Sequence, residues 1–109
     1  LKAAYHWYNV GVVSDPQNSK NPFQLLKENF HPDDCIIVKL DIDKGDIELP
    51  LAHQVLNDDE LVKLVDCFYF EHHVFLDELV RDWVTGMPGS VDDTPLKLFS
   101  GLRDKSIAT

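Results

Sequence analysis

An apolar run that ends in acids constrains the fold of this chain most strongly. It lies in the stretch CIIVKLDIDKGDIELPL, residues 35–51, where residues 36–40 are apolar except for Lys39 and Asp41 follows directly. A strand with one face in water would alternate apolar and polar residues, whereas a continuous run is typical of a parallel strand covered by helices on both faces. The run therefore predicts an interior strand of an α/β fold.

Helix and strand patterns alternate along the rest of the sequence. Three segments have the apolar, aromatic and β-branched content of strands: residues 5–14, 36–40 and 67–73. Five have the spacing or the caps of helices: residues 22–30, 46–57, 58–65, 74–84 and a last helix with Thr94 as its N-cap and Pro95 at its first position. A further strand could begin within residues 106–109. This alternation predicts a doubly wound parallel sheet, and 109 residues is the length of one domain or of a fragment.

Capping residues support two of the predicted helix starts. Asn21 precedes Pro22, and proline suits the first position of a helix. Asn57 has Glu60 three residues later, which is the spacing of a capping box. Pro50 is compatible with the helix at residues 46–57 only if it lies in the first turn.

The charge of the chain argues against several kinds of partner. Its formal net charge is −9 at pH 7, and its basic residues are scattered along the sequence. Binding to nucleic acid is not expected, because phosphate contacts need clustered Lys and Arg. No apolar run approaches the roughly 20 residues that a membrane span needs, and no signal peptide is visible. The sequence indicates no cellular compartment.

The two cysteines, Cys35 and Cys67, are far apart in the sequence and lack C-x-x-C spacing. A zinc knuckle or a disulfide scaffold is excluded on their number alone. Both lie at predicted strand starts, so we expect buried free thiols, with a single disulfide between them as the alternative.

Ionisable residues follow two of the predicted strands. In an open parallel sheet, ligands bind beyond the carboxyl ends of the strands, and consecutive strands are often neighbours. We therefore expect five side chains to converge at one edge of the sheet: Asp41, Asp43, Glu71, His72 and His73. The last three alternate in direction, so at most two of them can face one site.

Each acid near this edge also has a purely structural explanation. Asp46 and Glu48 could stabilise the positive end of the helix dipole, and Asp43 could belong to an ordinary turn. Lys39 lies two residues before Asp41 and on the same side of the strand, so the two could form an ion pair.

The stretch NPFQLLKENFHPDDCIIVKLDIDKGDIELPL resembles FkbM-type methyltransferases, in which a short helix leads into a strand reading K-I-D-[VI]-E-G-x-E. Lys39 and Asp41 match the Lys and the Asp of that motif. Asp43 stands at its first Glu, and Asp46 stands at its second. The segment CFYFEHH resembles the next strand of the family, with Glu71 at the Glu that ends it.

This resemblance, over residues 19–74, implies a Rossmann-like class I methyltransferase fold that uses S-adenosylmethionine to methylate a hydroxyl group of a small molecule or glycan. It implies catalytic roles for Asp41, Asp43 and Glu71 beside the methyl donor and acceptor, where a carboxylate could orient the hydroxyl or accept its proton. The other residues at this edge would contact the substrate: Lys39, Asp46, His72 and His73.

The chain departs from the family pattern in two ways. Lys44 replaces the Gly after the first Glu, and a glycine follows at Gly45 instead. No G-x-G loop is present, because the five glycines are dispersed. The chain thus resembles the second half of such a domain, without the half that carries the cofactor loop, and we expect weak cofactor binding unless the remainder of the domain or a protein partner completes it.

Two other functions remain open from the sequence. The first is a non-catalytic interaction or assembly subunit with a degenerate methyltransferase fold, whose contact surface would include aromatic residues and the loop around Met87: Tyr5, Trp7, Tyr8 and Trp83. The second is a metal-dependent hydrolase or oxygenase that uses Asp41, Asp43 and His72, although no H-E-x-x-H spacing organises these ligands and a bound metal is not expected.

Overall fold

The structure, a computed structural model, describes residues 5–71 and 94–109. In chain order its elements are α1 (Pro22–Asn29), β1 (Ile37–Leu40), α2 (Gly45–Asn57), α3 (Asp59–Leu64), β2 (Cys67–Phe70) and α4 (Thr94–Asp104). The α/β class is confirmed by these two parallel strands and four helices. The helix predicted at residues 74–84 and the loop after it lie outside the described residues.

The two strands pair in parallel, with Ile37 opposite Cys67 and Leu40 opposite Phe70. On its other edge, β2 meets the C-terminal residues through a parallel bridge between Cys67 and Ala108. There the Phe68 amide donates to the Ala108 carbonyl over 2.8 Å. The strand expected within residues 106–109 is therefore reduced to one isolated bridge beside the two-stranded sheet, and β2 is contacted on both of its edges.

Only one face of the sheet is covered within the described residues. Leu40 and Phe68 are buried in the core, whereas Ile37 is 63% exposed and Tyr69 is 54% exposed on the opposite face. The prediction that β1 is an interior strand with both faces covered is therefore not met in this part of the chain. Exposed and less exposed positions alternate along β1, although the sequence does not alternate between polar and apolar residues. The exposed position of Ile37 carries an apolar residue, as surface positions often do.

The strand predicted at residues 5–14 is wrong. These residues form no strand in the structure, and Trp7 is 75% exposed. Aromatic and β-branched residues favour strands because they fit a half-buried pleated surface. Among the described residues, no neighbouring strand provides that surface for residues 5–14.

The start of α1 was predicted correctly. The Asn21 side chain accepts a hydrogen bond from the Phe23 amide over 3.0 Å, and Pro22 is the first helical residue. The Asn21 amide group also donates to Gln54 Oε1 over 2.9 Å and to the Ser14 carbonyl over 3.3 Å. Asn21 is fully buried, so this cap also ties α1 to α2.

Three other helix starts differ from the predictions. Because α2 begins at Gly45, Pro50 is its sixth residue, beyond the first turn, and removes the hydrogen bond to the Asp46 carbonyl. The cap of α3 is Asp58, whose side chain accepts hydrogen bonds from the Glu60 and Leu61 amides. Asn57 is instead the last residue of α2. The last helix begins at Thr94 itself. The shifts are of one residue each, the usual uncertainty of a helix end.

The described helices pack on the covered face of the sheet and enclose a cluster of apolar side chains. Its buried members are Phe23, Ile36, Leu40, Leu51, Ala52, Val55, Leu61, Leu64, Val65, Phe68, Leu98, Leu102 and Ile107. No helix in residues 5–71 or 94–109 is long and apolar enough to cross a membrane. This core fixes the carboxyl ends of β1 and β2 relative to the start of α2.

Both cysteines are free thiols, as predicted. The expected burial of Cys35 is wrong, since this residue is exposed, and Cys67 is only half-buried. The buried position at the start of β1 is taken by Ile36 instead, so the thiol of Cys35 points away from the core.

Candidate functional site

The carboxyl ends of the two strands place Asp41 and Glu71 next to each other in the sheet. Leu40 pairs with Phe70, and each acid is the residue that follows its strand. Because the strands are parallel, both chains leave the sheet at the same edge. The register of the strands therefore brings Asp41 and Glu71 to the same edge of the sheet, as the sequence predicts.

Lys39 is the cation of this edge. Its Nζ lies 2.5 Å from Asp41 Oδ2, which is the ion pair expected from their spacing. The hydrogen bond and the charge of Asp41 raise the pKa of Lys39 above its usual 10.5, and the charges of Glu71 and Asp43 raise it further. Three carboxylates thus act on one exposed ammonium group, and among these four side chains negative charge is in excess.

The turn between β1 and α2 carries Asp43 in a left-handed conformation, with φ of 58°. Aspartate tolerates this region better than most residues, since its short polar side chain can bond locally. The turn directs the chain from the end of β1 into α2, whose N-cap, Lys44, makes no side-chain cap bond. Asp46 is exposed in the first turn of α2, where a negative charge favours the positive end of the helix.

Glu48 was treated in the sequence only as an acid at a helix end, and the structure gives it a different position. It is 1% exposed, and its Oε1 accepts a hydrogen bond from the Ile42 amide over 2.6 Å. Its Oε2 is buried and has no hydrogen-bond partner among the described residues. A helical signal was available, because Glu48 shares the spacing of the buried Leu51, Ala52 and Val55.

A cavity of about 380 Å³ adjoins this edge. Lys39 and Asp41 are part of its wall, and the rest is mostly apolar, with Val12, Phe23 and Leu26 among the lining residues. An apolar hollow with a few polar groups is the usual form of a small-molecule site. The edge therefore combines carboxylates with a space next to them.

Two predicted site residues have no position among the described residues. His72 and His73 lie outside the described residues, so their predicted substrate contacts stay predictions. Another histidine, His53, is not among the predicted site residues and lies in the wall of a separate cavity of about 480 Å³ between α2 and the loop that includes Ser14 and Pro16. That cavity contains none of the acids that follow the strands.

The arrangement of acids does not form a metal site in the described part of the chain. No group of three or more His, Cys, Asp or Glu side chains there could hold a metal ion. The carboxylates of the edge can instead accept hydrogen bonds, orient a hydroxyl group or take its proton.

Comparison of the chain with protein-family profiles, with curated proteins and with solved structures finds no match. The class that the structure defines is a small α/β domain with parallel strands and an acidic edge. The resemblance to FkbM-type methyltransferases remains a prediction from the sequence.

Proposed function

We propose that the chain is a methyltransferase-like α/β domain, or part of one, that transfers a methyl group from S-adenosylmethionine to a hydroxyl group of a small molecule or glycan. The observation that carries this proposal is the group of carboxylates at the ends of two paired parallel strands. Asp41, Asp43 and Glu71 all act on the Lys39 ammonium group there, in the part of an open sheet where ligands bind.

The acceptor would lie in the cavity beside β1. A hydroxyl group there could donate a hydrogen bond to Asp41, which is part of the cavity wall. As the hydroxyl oxygen becomes a nucleophile, a neighbouring carboxylate takes its proton. Holding the acceptor against the apolar wall supplies the orientation on which a displacement at a methyl carbon depends.

The chemistry of the edge fits the charge of the methyl donor. When bound, S-adenosylmethionine supplies an electrophilic methyl group on a sulfonium cation, and an edge with excess negative charge attracts cations. The same edge repels phosphate-bearing cofactors. The chain between β1 and α2 reads Asp-Ile-Asp-Lys and holds no glycine-rich loop, and we assign this turn to the acceptor side of the proposed site.

A second candidate function, a non-catalytic interaction subunit, is favoured by the exposed apolar residues. Trp7 and Tyr8 are exposed, as are Ile37 and Tyr69 on the face of the sheet that the described residues leave uncovered. Aromatic residues are enriched in protein interfaces, and exposed apolar surface often marks one. In this reading the domain binds a protein partner and performs no methyl transfer.

The experiment that separates the two functions is a methyl-transfer assay with labelled S-adenosylmethionine and a panel of polyols and glycans, together with equilibrium dialysis of the cofactor. Asp41→Asn and Asp43→Asn should each lower turnover by about a hundredfold, the usual contribution of a positioned acid or base. Asp33→Asn is the matched control, because Asp33 is an exposed acid that lies before β1 and away from the edge.

Circular dichroism and urea unfolding establish that all three variants are folded. Turnover that is lost in the edge variants and kept in the control supports the proposal. Full-length wild-type protein, with any remainder of the domain present, that neither binds the cofactor nor transfers a methyl group to any acceptor overturns it and leaves the interaction subunit as the better account.

A further inference from the structure

Glu48 makes two hydrogen bonds to the turn between β1 and α2, one with its side chain and one with its backbone amide. Its carboxylate Oε1 accepts a hydrogen bond from the Ile42 amide over 2.6 Å, and its own amide donates to the Lys44 carbonyl over 2.8 Å. These two contacts bracket Asp43. The Ile42 amide belongs to the peptide unit that joins it to Asp41, so the same hydrogen bond fixes the direction in which the chain leaves β1.

The stability of the core does not explain a glutamate at this position. Glu48 is 1% exposed, and its Oε2 has no hydrogen-bond partner among the described residues. Burying a carboxylate with incomplete hydrogen bonding costs free energy, and apolar residues of similar volume are often as stabilising or more so. The effect that an apolar residue cannot reproduce is the hydrogen bond to Ile42.

The turn needs such a contact because its conformation is not the one that the backbone prefers. Asp43 has φ of 58°, in the left-handed region that non-glycine residues adopt only at a cost in free energy. Residues in this region persist when the surrounding structure determines their conformation. Lys44 provides no side-chain cap for α2, and the Glu48 carboxylate is a buried side-chain anchor of the turn.

We propose that Glu48 is a positioning residue, whose buried carboxylate holds the turn of residues 41–43 and thereby places Asp41 and Asp43 around the Lys39 ammonium group. Its importance for catalysis rests on the proposed function. The effect on the turn is independent of that function and can be measured without any substrate.

Three variants separate this role from a general contribution to folding. Glu48→Gln keeps a side-chain oxygen that can accept the hydrogen bond from the Ile42 amide, whereas Glu48→Leu and Glu48→Met remove the acceptor and keep the side-chain volume. Glu28→Gln, at an exposed position of α1, is the control for the loss of one negative charge.

Two NMR measurements report on the turn. The first is hydrogen exchange of the Ile42 amide relative to that of Val55, a buried residue of α2. The second is the titration of Lys39, followed at its Cε resonance, because the neighbouring carboxylates raise the pKa of Lys39. A merely structural role would change the exchange of both amides equally and would leave the titration of Lys39 unchanged.

With Glu48→Leu or Glu48→Met, we expect the Ile42 amide to exchange about tenfold faster relative to Val55, as for the loss of one buried hydrogen bond, and the pKa of Lys39 to fall towards 10.5. Glu48→Gln and Glu28→Gln should behave as the wild type does in the exchange measurement. If methyl transfer is observed, Glu48→Leu should lower kcat by about tenfold with little change in KM.

The proposal is overturned if Glu48→Leu leaves both the Ile42 exchange and the Lys39 titration unchanged, or if Glu48→Gln alters them as much as Glu48→Leu does. Failure of Glu48→Leu and Glu48→Met to fold, while Glu48→Gln folds, would also contradict it, because Glu48 would then hold the whole fold rather than the turn. A chain without methyl-transfer activity would leave these results intact, so the two proposals fail separately.

Discussion

Asp58 joins three helices of the domain, and its substitution gives the sharpest quantitative prediction. Its Oδ1 caps α3 by accepting hydrogen bonds from the Glu60 and Leu61 amides over 3.0 and 3.3 Å. Its Oδ2 forms an ion pair with Lys27 of α1. Asp58 also follows the last residue of α2 directly, so one carboxylate acts as a cap and as a contact between helices.

The two roles contribute separately to the free energy of unfolding. Loss of an N-cap side chain costs about 1 kcal/mol. The ion pair is partly shielded, with side chains 19% and 24% exposed, so we assign it about 1 kcal/mol, at the upper end of exposed pairs. Asp58→Ala should therefore lower the free energy of unfolding by about 2 kcal/mol, whereas Asp58→Asn, which keeps a good cap, should lower it by about 1 kcal/mol.

The pH dependence of this contribution follows from two pKa shifts. Burial raises the pKa of Asp58, but hydrogen bonds from Lys27 and from the Leu61 and Glu60 amides lower it more, so the pKa lies below its usual 3.8. The hydrogen bond to Asp58 raises the pKa of Lys27 above its usual 10.5. The ion pair therefore stabilises the fold fully between the usual pKa values of 3.8 and 10.5. Its contribution is lost as pH falls through the lowered pKa of Asp58 or rises through the raised pKa of Lys27.

Urea unfolding at pH 7, followed by far-UV circular dichroism, measures these free energies, and Asp33→Asn serves as the exposed control. The difference between Asp58→Asn and the wild type should shrink as pH falls below 3.8, where Asp58 takes up a proton in the unfolded chain before it does so in the folded one. Equal destabilisation by Asp58→Ala and Asp58→Asn would refute the separation into a cap and an ion pair, and an unchanged difference at low pH would refute the ion pair itself.

Two further predictions concern the turn after β1 and the thiols. Because Asp43 has φ of 58°, the free energy of unfolding in urea should be about 1 to 2 kcal/mol lower for Asp43→Val than for Asp43→Gly. Equal free energies of unfolding would show that the backbone of Asp43 is not strained. In the folded protein, Cys35 should react with Ellman's reagent about tenfold faster than Cys67, because Cys35 is exposed whereas Cys67 is half-buried in β2 and is less accessible to the reagent. Equal rates in the native state would contradict this placement.

The elements that the sequence predicted correctly are those whose signals are local. Asn21 and Pro22 specify the start of α1 through one side-chain hydrogen bond and one fixed dihedral angle. The strands at Ile37 and Cys67 follow from short apolar runs bounded by polar residues. The convergence of Asp41 and Glu71 required one further assumption, that consecutive parallel strands are neighbours, and the register agrees with it.

The elements that the sequence missed depend on contacts between distant residues. Residues 5–14 have the composition of a strand, but pairing decides whether such a segment becomes one. Glu48 could be assigned to the helix end by its charge, yet its burial depends on how the turn at Ile42 lies over the start of α2. The FkbM motif has its second Glu at Asp46, which is exposed. The motif does not include Glu48, the buried acid two residues later.

The position of β2 between β1 and the bridge at Ala108 has a consequence for how the described part of the domain folds. Its two pairings join residues far apart in sequence, since Ile37 lies opposite Cys67 and Cys67 opposite Ala108. Each pairing closes a long loop before any strand hydrogen bond compensates for the lost chain entropy. These described pairings therefore cannot form piecemeal from local hairpins, and we expect β1 and β2 to gain and lose their protection together, in one slow, cooperative step.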